Sequence, residues 1–568
     1  MAFPAINHWV DWLLFGYNIV AANGTAMPKR GALNFLPPLT CVDNSTNSST
    51  DIGVNLSQLN AQELSPLDLR FTEVANGTLP GFMPANLVTL DEEFTNTSLS
   101  RFTILSEGTP VTPTISGGAI TFVNTAGQNT GLQQIAPLGQ PQNNVSMHVL
   151  SVTSSAGNAY ENIGRGWAKD SNNYVMAVWR RRQGTNGTAS IQVKISGTSN
   201  FVGSITLSAA WTPPFDIGLG IVGNSVVFYQ RPNGGVWTEI TSYDITSAFN
   251  LKTSSLAGWN AVFWLATDNA QTCTAVFQAA KVGLGGGFGI RDICPVTTLA
   301  GAPALTGSVL SLTATLTDPT GAAYCAAMSY DLLAKTLTQT GVIMVSRGGA
   351  VQNDNAAHLV QDGTGGFYAF ITSWGTPSPA SSVNIYAKHE TVLPLLTGVN
   401  VIGSMSQLSL PNIPSSGGTY DPFAFFANGV WTLAFTYGPN SANSSYPGLA
   451  TSPDLTTWTA AGQDTTAFPF EGSRVSFLGG STTLMFSTMQ SSGYTLIRAY
   501  DTSMNWLGSI TNFNFPENGS NPYPAHFTLI PYGEFVYWVT FDNSLVNSVS
   551  GTEGQFRVFR ARRYGVNG

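Results

Sequence analysis

Apolar and polar residues alternate in short runs along most of the chain, as in Tyr174-Val175-Met176-Ala177-Val178-Trp179 and Val226-Val227-Phe228-Tyr229, with Gly, Asn and Pro between the runs. A period of two bounded by turn residues predicts strands, and their density between about Asp91 and Lys281 predicts a sandwich. Glycines at 283, 285, 286, 287 and 289 then predict a flexible domain joint. Beyond it the pattern acquires an outer period. Five strands, at 308–315, 366–373, 429–436, 480–487 and 533–540, each lead from a small or polar turn into apolar residues alternating with small or polar ones. Aligned on Leu312, Phe370, Leu433, Leu484 and Tyr537, they are 58, 63, 51 and 53 residues apart. Repeats of about 50 residues have the length of one propeller blade, so five blades are predicted. The alternative is a second sandwich, whose strands recur every ~8–12 residues without an outer period.

Composition narrows the function classes. Only 10% of the 568 residues are charged and 43% are hydrophobic, with a net charge of −8. That excludes a disordered chain and long charged helix faces. A pI near 5.1 without a basic tract argues against nucleic-acid binding. Arg180-Arg181-Arg182 is the exception, and strand alternation sends its members to opposite faces. No apolar run reaches the roughly 18–20 residues that cross a bilayer, and no secretory signal is expected at the N-terminus. Cys41, Cys273, Cys294 and Cys325 lack zinc-ligand spacing and read as buried thiols, with a Cys294–Cys325 bridge as the alternative. The first eighty residues, with Trp9, Trp12, Leu13, Leu14 and Phe15 before Asn/Ser/Thr-rich turns, suggest docking onto a partner.

The innermost strand of a propeller blade lines the axial channel, so ionisable residues just before each repeated strand are candidates to converge there. They are Arg291-Asp292, Asp354 with His358, Tyr420-Asp421-Pro422, Glu471-Gly472-Ser473-Arg474, and His526, in a chain with 5 histidines. Buried carboxylates are costly unless paired or used, which marks such a cluster as a functional candidate. Alternatively, Asp292 and Glu471 pair with Arg291 and Arg474 to hold blades together. Trp374, Tyr420 and Trp431 can stack on sugar faces, core packing being the competing role of each. Ser452-Pro453-Asp454-Leu455-Thr456-Thr457-Trp458 reads as a structural turn and strand.

Three resemblances bear on these motifs. Lys29-Arg30-Gly31-Ala32-Leu33-Asn34-Phe35, then Leu39-Thr40-Cys41-Val42-Asp43-Asn44 and Thr50-Asp51-Ile52, resembles a segment of tailed-bacteriophage tail fibres and tailspikes. On residue pattern alone it is a hairpin with a polar turn. The order Gly223–Tyr229, Trp237 and Ala261-Val262-Phe263-Trp264 resembles the concanavalin-like jelly roll. Tyr420-Asp421-Pro422-Phe423, the 452–458 motif and Glu471-Gly472-Ser473-Arg474-Val475 resemble the five-bladed propeller of family 43 glycoside hydrolases over about the last 280 residues. That resemblance implies Asp292 as general base, Asp421 as the orienting and pKa-tuning carboxylate and Glu471 as general acid of an inverting hydrolase. Such chemistry needs a base and a protonated acid about 6.5–9.5 Å apart. The first blade departs from the pattern: it lacks the Asp-Pro step, and Asp292 lies 20 residues before Leu312 where the other candidates lie 11–13 before their strands.

The resulting expectation is an all-β chain: a virion-attachment region over 1–85, a jelly-roll sandwich over 86–284 and a five-bladed propeller over 285–568. Asp292, Asp421 and Glu471 are the expected catalytic residues, and His358, Trp374, Tyr420, Arg474 and His526 the expected substrate contacts. No cofactor is expected, calcium in the propeller channel being the one candidate. The tail-fibre resemblance implies a homotrimer on the virion, joined to tail or baseplate proteins through 1–85 and engaging host surface polysaccharide outside the cell, without nucleic-acid or membrane partners. A free bacterial glycoside hydrolase with an appended carbohydrate-binding module and a non-catalytic structural virion protein are the alternatives.

Overall fold

Hydroxyl-rich alternating segments become antiparallel strands because one face can bury while the other is solvated by Ser and Thr rather than by charge. The computed structural model describes residues 39–44, 49–54, 62–77, 83–107, 110–125, 129–134, 145–157, 160–182, 185–267, 272–285, 289–375, 383–391, 396–413, 417–438, 445–466, 470–489, 495–510, 524–546 and 553–565. Almost all regular structure among them is β, with short 3₁₀ turns and no α-helix. No helix there is long and apolar enough to cross a membrane.

Two compact units divide the chain near residue 62. In the first, Leu39–Asn44 and Ser49–Val54 form an antiparallel hairpin with Asp43 opposite Thr50. The pairing of the two strands is that of the hairpin expected here; residues 29–38, the connection over 45–48 and the aromatic cluster from Trp9 to Phe15 lie outside the described residues.

The second unit begins with the sandwich. One sheet has the strand order Thr238–Asp244, Ser225–Pro232, Phe215–Val222, Val145–Gly157, Cys273–Gly283, Ala119–Asn124, Thr114–Ser116, with Val88–Glu92 added on Cys273–Gly283. The other runs Thr198–Thr206, Thr188–Ile195, Asn173–Arg182, Tyr160–Asp170, Asn260–Thr267, Asn129–Gln134, Phe102–Glu107. Alternation decides the core: Val175, Ala177 and Trp179 point between the sheets with Phe122, Ile163 and Phe263. Tyr174, Met176 and Val178 point the other way and bury with Val262 and Trp264. The arginine run divides as its strand position predicts: Arg181 pairs with Glu161 at 3.3 Å, while Arg180 lies over the Phe201 ring. Cys273, Cys294 and Cys325 are separate buried thiols, so the alternative of a Cys294–Cys325 bridge is not realised.

Five further sheets follow. Their first strands are Gly289–Pro295, Asn355–Gln361, Gly418–Ala427, Phe470–Ser476 and Pro524–Tyr532. Each packs on the next, and Gly289–Pro295 packs on both Asn355–Gln361 and Pro524–Tyr532, so the five strands close a ring. We refer to these sheets as blades one to five. The fifth is completed by Thr72–Gly77, which pairs with Glu553–Arg562. Residues 63–77, placed by sequence in the attachment region, thus belong to the ring: Phe71 meets the rings of Phe527 and Trp538 edge-on, and Glu73 pairs with buried Arg557 at 2.7 Å.

Strand pairing also corrects the repeat alignment. The buried residues at one pairing position are Leu312, Ala369, Leu433, Leu484 and Trp538, so Phe370 and Tyr537 are each one residue out of register. The long gap between Asp292 and Leu312 is an excursion: Thr297–Thr298 crosses to pair in parallel with Val360 and Gln361 of blade two, and Leu305–Thr306 folds back on Leu310 and Val309.

Candidate functional site

Every first strand of the ring carries the same defect. Register slips between Arg291 and Cys294, Asn355 and His358, Tyr420 and Phe423, Glu471 and Arg474, and Ala525 and Thr528. The second residue of each slip has left-handed backbone: Asp292 at φ 54°, Ala356 at 50°, Asp421 at 54°, Gly472 at 60° and His526 at 65°. Such a bulge breaks strand alternation and re-aims one side chain, at a cost of order 1–2 kcal/mol for a non-glycine residue. Hydroxyls one blade earlier hold several bulges: Thr315 accepts from the Ala356 N–H at 3.1 Å, Thr372 from Asp421 at 3.2 Å, and Ser487 from His526 at 2.8 Å. Asp292, despite its unusual distance in sequence, takes the same place in its bulge as Asp421 does in its own.

The bulges bring Asp292, Asp421 and His526 together, with one atom of each inside a 4.8 Å cluster. His526 Nε2 is 3.6 Å from Asp292 Oδ1 and 3.8 Å from Asp421 Oδ2. Arg474 is buried beneath them. Its guanidinium reaches His526 Nδ1 at 2.7 Å, the Ile293 carbonyl at 2.6 Å, the Ser473 carbonyl at 2.6 Å and Thr528 Oγ1 at 3.1 Å, tying blade four to blades five and one. Glycine at 472 is required, because a Cβ there would lie 2.0 Å from His526 Cδ2. The Gly472 N–H donates instead to Asp421 Oδ2 at 2.9 Å.

Electrostatics follow from this enclosure. Burial first, then the negative charge of Asp292, pushes the Asp421 carboxyl up to about 7, opposed by the Gly472 N–H and Arg474. Near neutral pH the Asp421 carboxyl therefore holds a proton part of the time. Burial, then Arg474, holds His526 well below the ordinary imidazole range, so it is neutral. A guanidinium only donates, so His526 Nδ1 must accept and Nε2 carries the proton toward the carboxylates. That donor set does not suit calcium: the imidazole offers a proton where a lone pair is needed, and calcium wants six to eight oxygens. The recess lined by Asp292, Ala356, Ala357, Asp421, Pro422, Arg474 and His526 encloses about 140 Å³ including its mouth, below the roughly 300–1,000 Å³ of a small-molecule pocket, so a sugar ring would meet it only at the rim.

The remaining expected residues fall into two groups. Glu471 and Trp374 lie near Tyr420, the neighbour of Asp421 in its strand. Glu471 precedes its bulge, in the position that Tyr420 takes in blade three, and both Asp421 and Glu471 disfavour ionisation of Tyr420 after burial itself. Trp374, 38% exposed, meets the Tyr420 ring at 5.9 Å. His358, by contrast, is not a substrate contact. It is fully buried, stacks on Phe423 at 4.1 Å, accepts from the Ala424 N–H at 2.9 Å and bonds Thr297 at 3.0 Å. Asp354 is likewise structural, held by Arg347 at 2.6 and 2.8 Å. Arg474 anchors the cluster from below, and Trp431 packs inside among Tyr368, Phe370 and Phe426. Sequence reading gave Gly472 and Ser473 no role of their own and missed the supporting hydroxyls, although a Ser or Thr closing each of the five repeats, at Thr315, Ser373, Thr436, Ser487 and Thr540, was a visible signal.

No protein-family model matches the chain, and no curated protein matches it. Among solved structures, a levansucrase variant from B. megaterium is similar at 11% identity and a TM-score of 0.36, covering 49% of this chain and 83% of that one. A complex of BT0996 with RGII is similar at 10% identity and a TM-score of 0.35, covering 49% and 90%. The CBM2 module of an evolved Dit from Lactobacillus casei BL23 phage J-1 is similar at 9% identity and a TM-score of 0.27, covering 35% and 96%. Likenesses this distant assign no family.

Proposed function

We propose that the chain binds a polysaccharide at the mouth of the ring, as the adhesin of a phage tail. One observation carries the glycan reading: an aromatic pair, Trp374 and Tyr420, stands close to the carboxyl groups of Asp421 and Glu471. Aromatic faces take up the C–H faces of sugars, and carboxylates accept their hydroxyls. The tail placement, on the virion as a trimer with residues 1–61 toward tail or baseplate proteins, rests on the resemblance of residues 29–52.

A second reading, hydrolysis of the bound chain, is favoured by Asp292 taking, in the bulge of blade one, the position that Asp421 takes in that of blade three. Asp292 and Asp421 lie too close to be an inverting acid–base pair with water between them. Asp292 would therefore deprotonate water and Glu471 would protonate the leaving oxygen, with Asp421 orienting the pair. Incubation with bacterial capsule or lipopolysaccharide separates the readings. Binding with release of reducing ends that Glu471→Gln abolishes supports hydrolysis, binding without release supports adhesion alone, and neither binding nor release refutes both.

A further inference from the structure

The aromatic lip of the site is held in place by the sandwich. Trp374 sits on the loop Ser373-Trp374-Gly375 that leaves the second strand of blade two. Blade residues fix two sides of it: Arg347 Nη2 donates to the Ser373 carbonyl at 3.2 Å, and the Gly375 N–H donates to Asp354 Oδ1 at 2.9 Å. The loop lies flush on that support, since a Cβ on Gly375 would stand 2.7 Å from the Asp354 nitrogen. The third side is Lys252, a sandwich residue, whose Nζ donates to the Gly375 carbonyl.

Lys252 is itself rigidly mounted. Its N–H donates to Asn250 Oδ1 at 3.1 Å, and Asn224 fixes the same turn by donating to Asn250 Oδ1 at 3.0 Å and accepting from Leu251 at 2.8 Å. Its carbonyl accepts from the Val351 N–H of blade one at 2.9 Å. Gly223 leaves room for the stem, because a Cβ there would be 2.7 Å from Lys252 Cε. Arg347 thus pairs with the buried carboxylate of Asp354, Lys252 lies within its field, and each cation also grips a carbonyl beside Trp374.

We infer that Lys252 is a positioning residue for the glycan site, setting the Trp374 ring against Tyr420, so that recognition at the ring depends on the sandwich. This rests on the reading of Trp374 as a sugar platform. The full chain carrying 5-fluorotryptophan gives a ¹⁹F resonance for Trp374, assigned by its loss in Trp374→Phe. Lys252→Met should shift and broaden that resonance, and Lys252→Arg, which restores the charged donor, should return it.

On an array of immobilised bacterial surface polysaccharides, Lys252→Met should bind roughly tenfold more weakly than the parent, as for one lost charge-assisted hydrogen bond. Lys252→Arg should bind near the parent level. An unchanged resonance in Lys252→Met overturns the inference, as does unchanged binding while Trp374→Ala abolishes it. Unchanged binding in Trp374→Ala refutes instead the sugar-platform reading, and the resonance still decides whether Lys252 holds the loop.

Discussion

At the scale of the residue, the centre of the ring is a competition between burial and charge. Asp421 has its carboxyl raised to about 7, so in the folded protein it binds a proton that the unfolded chain releases near pH 4. The folded state is favoured below that range, and the advantage is lost as pH rises toward 7. Buried His148, His358 and His526 act in the opposite direction: their neutral folded forms cost stability as pH falls below about 6.5. Comparing Asp421→Asn with the parent isolates the carboxyl, because the histidines are common to both. The melting temperature of Asp421→Asn relative to the parent should be higher at pH 8 than at pH 5; a difference independent of pH would mean that Asp421 is not the proton holder. Residue types were legible in sequence here, but burial state was not. His358 and His526 look alike as letters, and only the bulge sends one to the axis while the other stacks on Phe423.

At the scale of the element, the repeat is a strand with one misfit residue and a hydroxyl from the neighbouring blade to hold it. Thr372 serves two partners, accepting from the Asp421 N–H and donating to the Ala356 carbonyl at 3.3 Å. Thr372→Val keeps the shape and removes both bonds, so it should destabilise by about 1–3 kcal/mol in denaturant unfolding, the cost of leaving buried backbone groups unpaired. No loss would show that packing alone sets the bulge. The strand period was readable because apolar residues must recur wherever a sheet is buried. Register within the strand was not, since Ala369 and Phe370, or Tyr537 and Trp538, satisfy an apolar position equally well until pairing chooses between them.

At the scale of the whole molecule, the described chain after residue 62 is one sandwich and one ring, and their border in sequence is not their border in space. The outer strand of blade five precedes the sandwich, which local patterning could not reveal because an edge strand has no sequence mark naming its partner. Removing residues 1–61 should leave the ring intact and is the clean test of attachment, with loss of the protein from assembled particles as the expected outcome. Extending the deletion to residue 85 strips Leu69 and Phe71 from the core and leaves Arg557 without Glu73. Burial of each apolar side chain is worth about 1.5–3 kcal/mol and a broken buried ion pair about 3–5 kcal/mol. The longer deletion should therefore lower the melting temperature steeply, and equal stability of the two truncations would refute this view of the fifth blade.

That closing strand also sets a timetable for synthesis. Glu73 and Arg557 are 484 residues apart, so at roughly 5–20 residues per second Thr72–Gly77 waits about 24–100 s on the ribosome for its partner. During that interval the sandwich can fold, tethered between two halves of an unfinished ring, while the waiting strand presents unpaired backbone that a neighbouring nascent chain could capture. Polysomes translating the chain should accumulate folded sandwich before any closed ring, and the ring should become protease-resistant only as the last blade emerges.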